Sequence, residues 1–119
     1  MTIREIMKIV DAKVLCGEEG LEQEVHTACG SDLMSDVLAF VKDKTVLITG
    51  LTNVHVMRTA EMLDIRCIIF ARGKVPGDDV LDEARELGIV VLATPHTTST
   101  TCGLLYEAGI RGSNEHKKA

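Results

Sequence analysis

Apolar side chains recur at Ile3, Ile6, Met7 and Val10, the spacing of one face of a helix. Thr2 and Glu5 stand ahead of them as a capping box, so the chain is expected to open with a short docked helix. Ala12 to Cys16 and Val25 to Cys29 are short apolar segments separated by the turn-rich stretch Gly17 to Gly20, which predicts two short strands and a loop. Ser31 or Asp32 is the expected cap of the next helix, whose apolar positions are Leu33, Met34, Val37, Leu38 and Val41 and which the Lys42-Asp43-Lys44 turn ends.

From Thr45 the pattern becomes regular. Val46-Leu47-Ile48, Cys67-Ile68-Ile69-Phe70 and Ile89-Val90-Val91-Leu92 are continuous apolar runs, as expected of strands covered on both faces. Between them lie helix-length segments, Asn53 to Leu63 with Val56, Met57, Ala60 and Leu63 on one side, and Gly77 to Leu87 with Val80, Leu81, Ala84 and Leu87 on one side. Gly88 occupies the place of a left-handed C-cap. A last helix from about Thr98 to Ala108 is expected to turn Cys102, Leu105 and Ala108 inward, with residues 111–119 as a flexible polar tail after a single domain over 1–110. The regular strand spacing is that of right-handed βαβ crossovers. The fold class is therefore α/β, a three-layer domain with a mostly parallel central sheet, and the three apolar strands are expected to be parallel neighbours.

Composition narrows the function. The chain has 119 residues, 45% hydrophobic and 26% charged, with a formal net charge of −5. That suits one globular domain, and the only basic block, Lys117-Lys118, argues against a nucleic-acid partner. No apolar run approaches the length of a membrane helix, and no signal-peptide core precedes the first helix, so no membrane partner and a cytoplasmic location are expected. Four cysteines, at 16, 29, 67 and 102, include no Cys-x-x-Cys pair. Cys67 and Cys102 read as small buried hydrophobes, while Cys29 could stand near the ligand-binding edge. His26, His55, His96 and His116 show no metal-binding spacing, so neither a metal nor another cofactor is expected. Asp78, Asp79, Asp82, Glu83 and Glu86 read as a solvated helix face.

Candidate chemistry gathers in the loops at the carboxyl ends of the strands, where helix N-termini offer free amides. Thr49, Gly50, Thr52 and Asn53 form one loop, Arg72 and Gly73 with Lys74 a second, and Thr94, His96, Thr97 and Thr98 a third. The run from Thr97 to Thr101 suits either an anion site or an N-cap of the last helix. Arg72, Lys74 and His96 would supply positive charge. The loop at Gly50 has neither the repeated glycines of a dinucleotide site nor the Gly-Lys-Ser/Thr of a P-loop, which excludes ATP hydrolysis by that route.

The order of features, with 12–25 reading AKVLCGEEGLEQEV, 31–38 reading SDLMSDVL and 92–98 reading LATPHTT, resembles the DRTGG domain along roughly residues 3 to 109. The resemblance implies a fold similar to the N-terminal domain of HPr kinase/phosphorylase. It also implies a non-catalytic module of the kind found in CBS-domain pyrophosphatases and long phosphotransacetylases, which pairs subunits or regulates a neighbouring enzyme. The five letters that name the family do not occur here as a string. The expected function is a regulatory or assembly module, a homodimer with a regulated enzyme as partner, sensing a small anionic metabolite or nucleotide. The alternative is a small enzyme using Cys29 or His96 on a phosphorylated or acyl substrate.

Overall fold

A computed structural model of the protein describes residues 1–41 and 44–112. The three apolar runs become strands buried along their whole length: β3 (Thr45–Thr49), β4 (Cys67–Phe70) and β5 (Val90–Ala93). They are parallel neighbours, as expected. The chain also forms α1 (Ile3–Ile9), β1 (Lys13–Cys16), a 3-10 turn over Glu18–Gly20, β2 (Thr27–Gly30), α2 (Met34–Phe40), α3 (Val54–Met62), α4 (Asp78–Leu87), α5 (Thr98–Glu107) and β6 (Arg111–Gly112). The six strands make one sheet in the order β1-β5-β4-β3-β2-β6. Only β1 runs antiparallel to its neighbour; β2 and β6 extend the parallel set at the other edge.

Strands β2 to β5 lie side by side in chain order, so the helices between them share one face. There Val37, Val56, Met57, Ala60, Val80 and Ala84 pack on Leu47, Ile68, Phe70 and Val91. The step from β5 to β6 runs back across the sheet, and α5 crosses the opposite face, where α1 also lies. There Ile3, Ile6, Val10 and Leu105 cover Val46, Ile48, Cys67, Ile69, Val90 and Leu92. Burying each such aliphatic side chain contributes about 1.5–3 kcal/mol, and the two faces together make the three layers.

Several expected boundaries shift for local reasons. The second strand covers Thr27–Gly30 rather than Val25 to Cys29, since Val25 is held back by its amide on the Met1 carbonyl. The fifth runs from Val90 to Ala93, because the Ile89 amide closes α4 on the Ala84 carbonyl. On α2, Leu33 and Leu38 are exposed while Val37 and Val41 are buried. Val37 and the C-cap Val41, with half-buried Met34 packed beside them, hold this helix of 7 residues at the sheet's margin. Ala108, expected to face inward, is exposed, because α5 ends at Glu107 and the chain turns away at Gly109. Arg111 and Gly112, expected in the tail, pair with Thr27 and Ala28 of β2. The turn at Lys42 and Asp43, His116, and the tail from residue 113 lie outside the described residues. Among the described residues, no helix is long and apolar enough to cross a membrane.

Candidate functional site

The topology itself selects an edge. After β4 the chain turns to α4 on one face, and after β5 it turns to α5 on the other. A crevice between loops that part in this way is where open α/β sheets bind ligands. The two loops are tied across it, for the Arg72 amide donates to the His96 carbonyl at 2.7 Å and the Gly73 amide to the Thr94 carbonyl at 2.7 Å. A cavity of about 370 Å³ opens on the β1 side of this tie, between the Asp11–Lys13 turn, Gly73 and Ala93–Pro95.

Arg72 and Gly73 both take positive φ, 58° and 67°, in a turn closed by the Lys74 amide on the Ala71 carbonyl. Arginine in the left-handed region is strained by roughly 1 kcal/mol. The cross-loop bonds hold it there, and both the Arg72 and the Lys74 side chains stand exposed at the sheet edge.

Not every residue expected at the site is free to meet a ligand. Thr49 and Thr94 are fully buried. The Thr94 hydroxyl donates to the Val10 carbonyl at 2.6 Å and accepts from the His96 amide at 3.3 Å. The Thr49 hydroxyl donates to Asp32 Oδ1 at 2.9 Å and accepts from the Leu51 amide. The Gly50 amide donates to the same Asp32 oxygen at 2.7 Å. These three residues build the loops rather than line an open site. Asn53 caps α3 by accepting from the His55 amide at 3.0 Å, and Thr97 caps α5 by accepting from the Thr100 amide at 3.2 Å. Thr101 donates to the Thr97 carbonyl. The threonine run therefore serves α5 first as a cap, with Thr98 half-buried against the end of β2. Thr52 and His96 are also half-buried, and Gly73 is exposed.

Asp32 is the residue that sequence reasoning assigned elsewhere. Ser31 or Asp32 is the expected cap of α2, yet α2 starts from Leu33 with no side-chain cap, and of the two only Ser31 bonds there, accepting from the Leu33 amide. Asp32 reaches across to the β3 loop. Two hydrogen bonds, the Gly50 amide first and the Thr49 hydroxyl second, hold its carboxyl below the usual range, and the Lys74 and Arg72 charges act in the same direction. A legible signal existed, since two adjacent cap candidates before one helix leave one of them unassigned. Lys74 completes the arrangement by donating to the Gly50 carbonyl at 3.1 Å.

The cysteines lie outside this chemistry. Burial pushes the thiols of Cys16, Cys29, Cys67 and Cys102 up, the reverse of what activates a nucleophile. Cys29 packs under the α2 side of the sheet and Cys102 under the α5 side. Among the described residues, no three His, Cys, Asp or Glu side chains cluster so as to hold a metal ion.

Comparison with known proteins agrees with the architecture. A search of curated proteins gives no match. A solved structure, the CBS and DRTGG domains of the regulatory region of Clostridium perfringens pyrophosphatase complexed with the activator diadenosine tetraphosphate, is similar in fold, with a TM-score of 0.68 at 17% identity. The likeness covers 87% of this chain and 45% of that one, so this chain spans less than half of the solved relative. The family model of the DRTGG domain matches residues 5–108, from within α1 to the C-cap of α5. That match takes in both crevice loops and every strand except β6, and by it the chain belongs to the DRTGG domain family.

Proposed function

We propose that the chain is a non-catalytic regulatory or assembly module that works as a homodimer and binds a small anionic metabolite or nucleotide at the carboxyl edge of its sheet. The observation that carries this reading is the Arg72–Lys74 turn, which holds two cationic side chains out at the topological switch point, one of them on strained backbone. In this reading Thr52, Gly73, His96 and Thr98 are the ligand-facing set, with Asn53 and Thr97 contributing from their capping positions, while Thr49, Gly50 and Thr94 keep the loops in place. Membership of the DRTGG family supports a regulated enzyme as partner, as does the fold likeness to a pyrophosphatase regulatory region crystallised with a nucleotide activator. Four free thiols, of which Cys16 and Cys67 are buried, suit a reducing cytoplasm.

Thermal-shift and calorimetric titration with nucleotides and phosphorylated metabolites, run beside assays for their turnover, tests the reading. Binding without turnover is expected. Turnover of a bound compound would replace this reading with the enzyme one. Arg72→Glu should weaken binding by about tenfold or more, the value of one charge-assisted contact, with the fold intact by circular dichroism.

A further inference from the structure

The crevice edge carries a feature that a plain anion receptor would not have. Asp32 Oδ1 takes both available donors, the Gly50 amide at 2.7 Å and the Thr49 hydroxyl at 2.9 Å. Among the described residues, Oδ2 has no hydrogen-bond partner, and Asp32 is exposed. The carboxylate is thus fixed by one oxygen and leaves the other unbonded on an exposed residue. A Cβ at Gly50 would stand 3.6 Å from both Asp32 oxygens and 3.9 Å from Lys74 Nζ, so anion and cation flank this glycine without forming an ion pair with each other. A phosphate placed on the Gly50 amide would have to displace a bound carboxylate and meet its charge. A phosphate placed by Arg72 or Lys74 meets a cation without displacing that carboxylate. The edge is therefore bipolar, with an acceptor at its β3 side and positive charge at its β4 side.

The geometry points to a ligand that carries hydroxyl donors and a phosphate together, a vicinal-diol phosphate whose hydroxyls donate to Asp32 Oδ2 while its phosphate lies by Arg72 and Lys74. An anchored carboxylate is a natural acceptor for a pair of sugar hydroxyls, because its free oxygen offers two lone pairs and its position is already set. A ribonucleotide and a sugar phosphate share this chemistry. The inference rests on the proposed anion-binding role of this edge and adds the class of ligand to it.

Calorimetric titration of the unaltered chain with AMP, its dideoxy analogue lacking both ribose hydroxyls, ribose phosphate and inorganic pyrophosphate tests it. AMP or ribose phosphate should bind about tenfold or more tightly than the dideoxy compound, the loss expected when a hydrogen bond to a charged group goes unmade. Binding of AMP alone would assign the ligand to nucleotides, and binding of ribose phosphate as well would assign it to the sugar phosphate common to both. Asp32→Asn keeps an oxygen for Gly50 and Thr49 but replaces the free acceptor by a donor amide. It should bring AMP down to the affinity of the dideoxy analogue without weakening that analogue. Equal affinity for AMP and the dideoxy compound in the unaltered chain would overturn the role of Asp32 and leave the anion-binding reading standing. So would binding of pyrophosphate alone. Failure of all four compounds to bind would remove both.

Discussion

Asp32 and Arg72 show how a single side chain at a loop is decided by what lies across the crevice. The Asp32 carboxyl is held down by the Gly50 amide and the Thr49 hydroxyl, so its folded value lies below its ordinary value of 3.8. A depressed carboxyl stabilises the fold above its unfolded value and loses that contribution as the pH falls through the folded one. The melting-temperature gap between the unaltered chain and Asp32→Ala should therefore be constant at neutral pH, reflecting about 1 kcal/mol, and shrink below pH 3.8. A gap that persists unchanged into acid would mean that the charge of Asp32 does not matter to its hold on Thr49 and Gly50. Arg72 sits at φ 58°, where glycine has no steric penalty. Arg72→Gly is expected to raise stability by about 0.5–1 kcal/mol while weakening anion binding, a trade typical of strained functional positions. Urea unfolding and titration of the same variant would measure both.

Helix α5 is set by its cap and the β1 turn by its glycine. Thr97 supplies the side-chain bond at the start of α5, and Thr98 does not. Thr97→Ala should cost about 1 kcal/mol and Thr98→Ala much less, as read from chemical denaturation. Equal losses would show that the two hydroxyls share the cap. Gly17, at φ 89°, follows β1 where a Cβ would come within 2.8 Å of the Val90 Cα and 3.0 Å of the Ile89 carbonyl oxygen. Backbone cannot yield as a side-chain end does, so Gly17→Ala is expected to cost more than 2 kcal/mol, roughly the sum of strain and overpacking. Helix α2 is the contrasting case. Its 7 residues have no side-chain cap, because Asp32 is engaged elsewhere, and its hold on the sheet rests on Met34, Val37 and Val41 at its C-cap.

At the scale of the molecule, the two core faces meet through the central strands, and Cys67 sits fully buried on β4. Its thiol should react with alkylating reagents only through global unfolding, at the rate of the slowest backbone amides, since β4 is flanked by strands on both sides. Labelling of Cys67 as fast as of half-buried Cys29 or Cys102 would contradict a cooperative core. If the chain acts as a homodimer, light scattering at micromolar concentration should report twice the 12.9 kDa chain mass, and a monomer would remove the dimer from the proposed function.

The sequence alone determined the parts whose cause is local or periodic. Continuous apolar runs identified β3, β4 and β5, the 3.6-residue spacing identified the buried faces of α3 and α4, and Thr2 with Glu5 marked the start of α1. Gly88 announced the left-handed end of α4, where φ is 71°. The candidate loops were legible too, since parallel order places them at one edge. Tertiary structure decided which polar groups in those loops remain free. Thr94 reads as a ligand hydroxyl in the sequence, but Val10, the C-cap of α1, lies within reach of it. Asp32 looked like a helix cap until the β3 loop offered two donors instead of one. The pairing of Arg111 and Gly112 with β2, and the exposure of Leu33 and Ala108, likewise depended on which segments lay alongside. Periodicity reports which face of an element is apolar, but a hydrogen bond is satisfied by whichever partner folding brings near, and that partner can be distant in the chain.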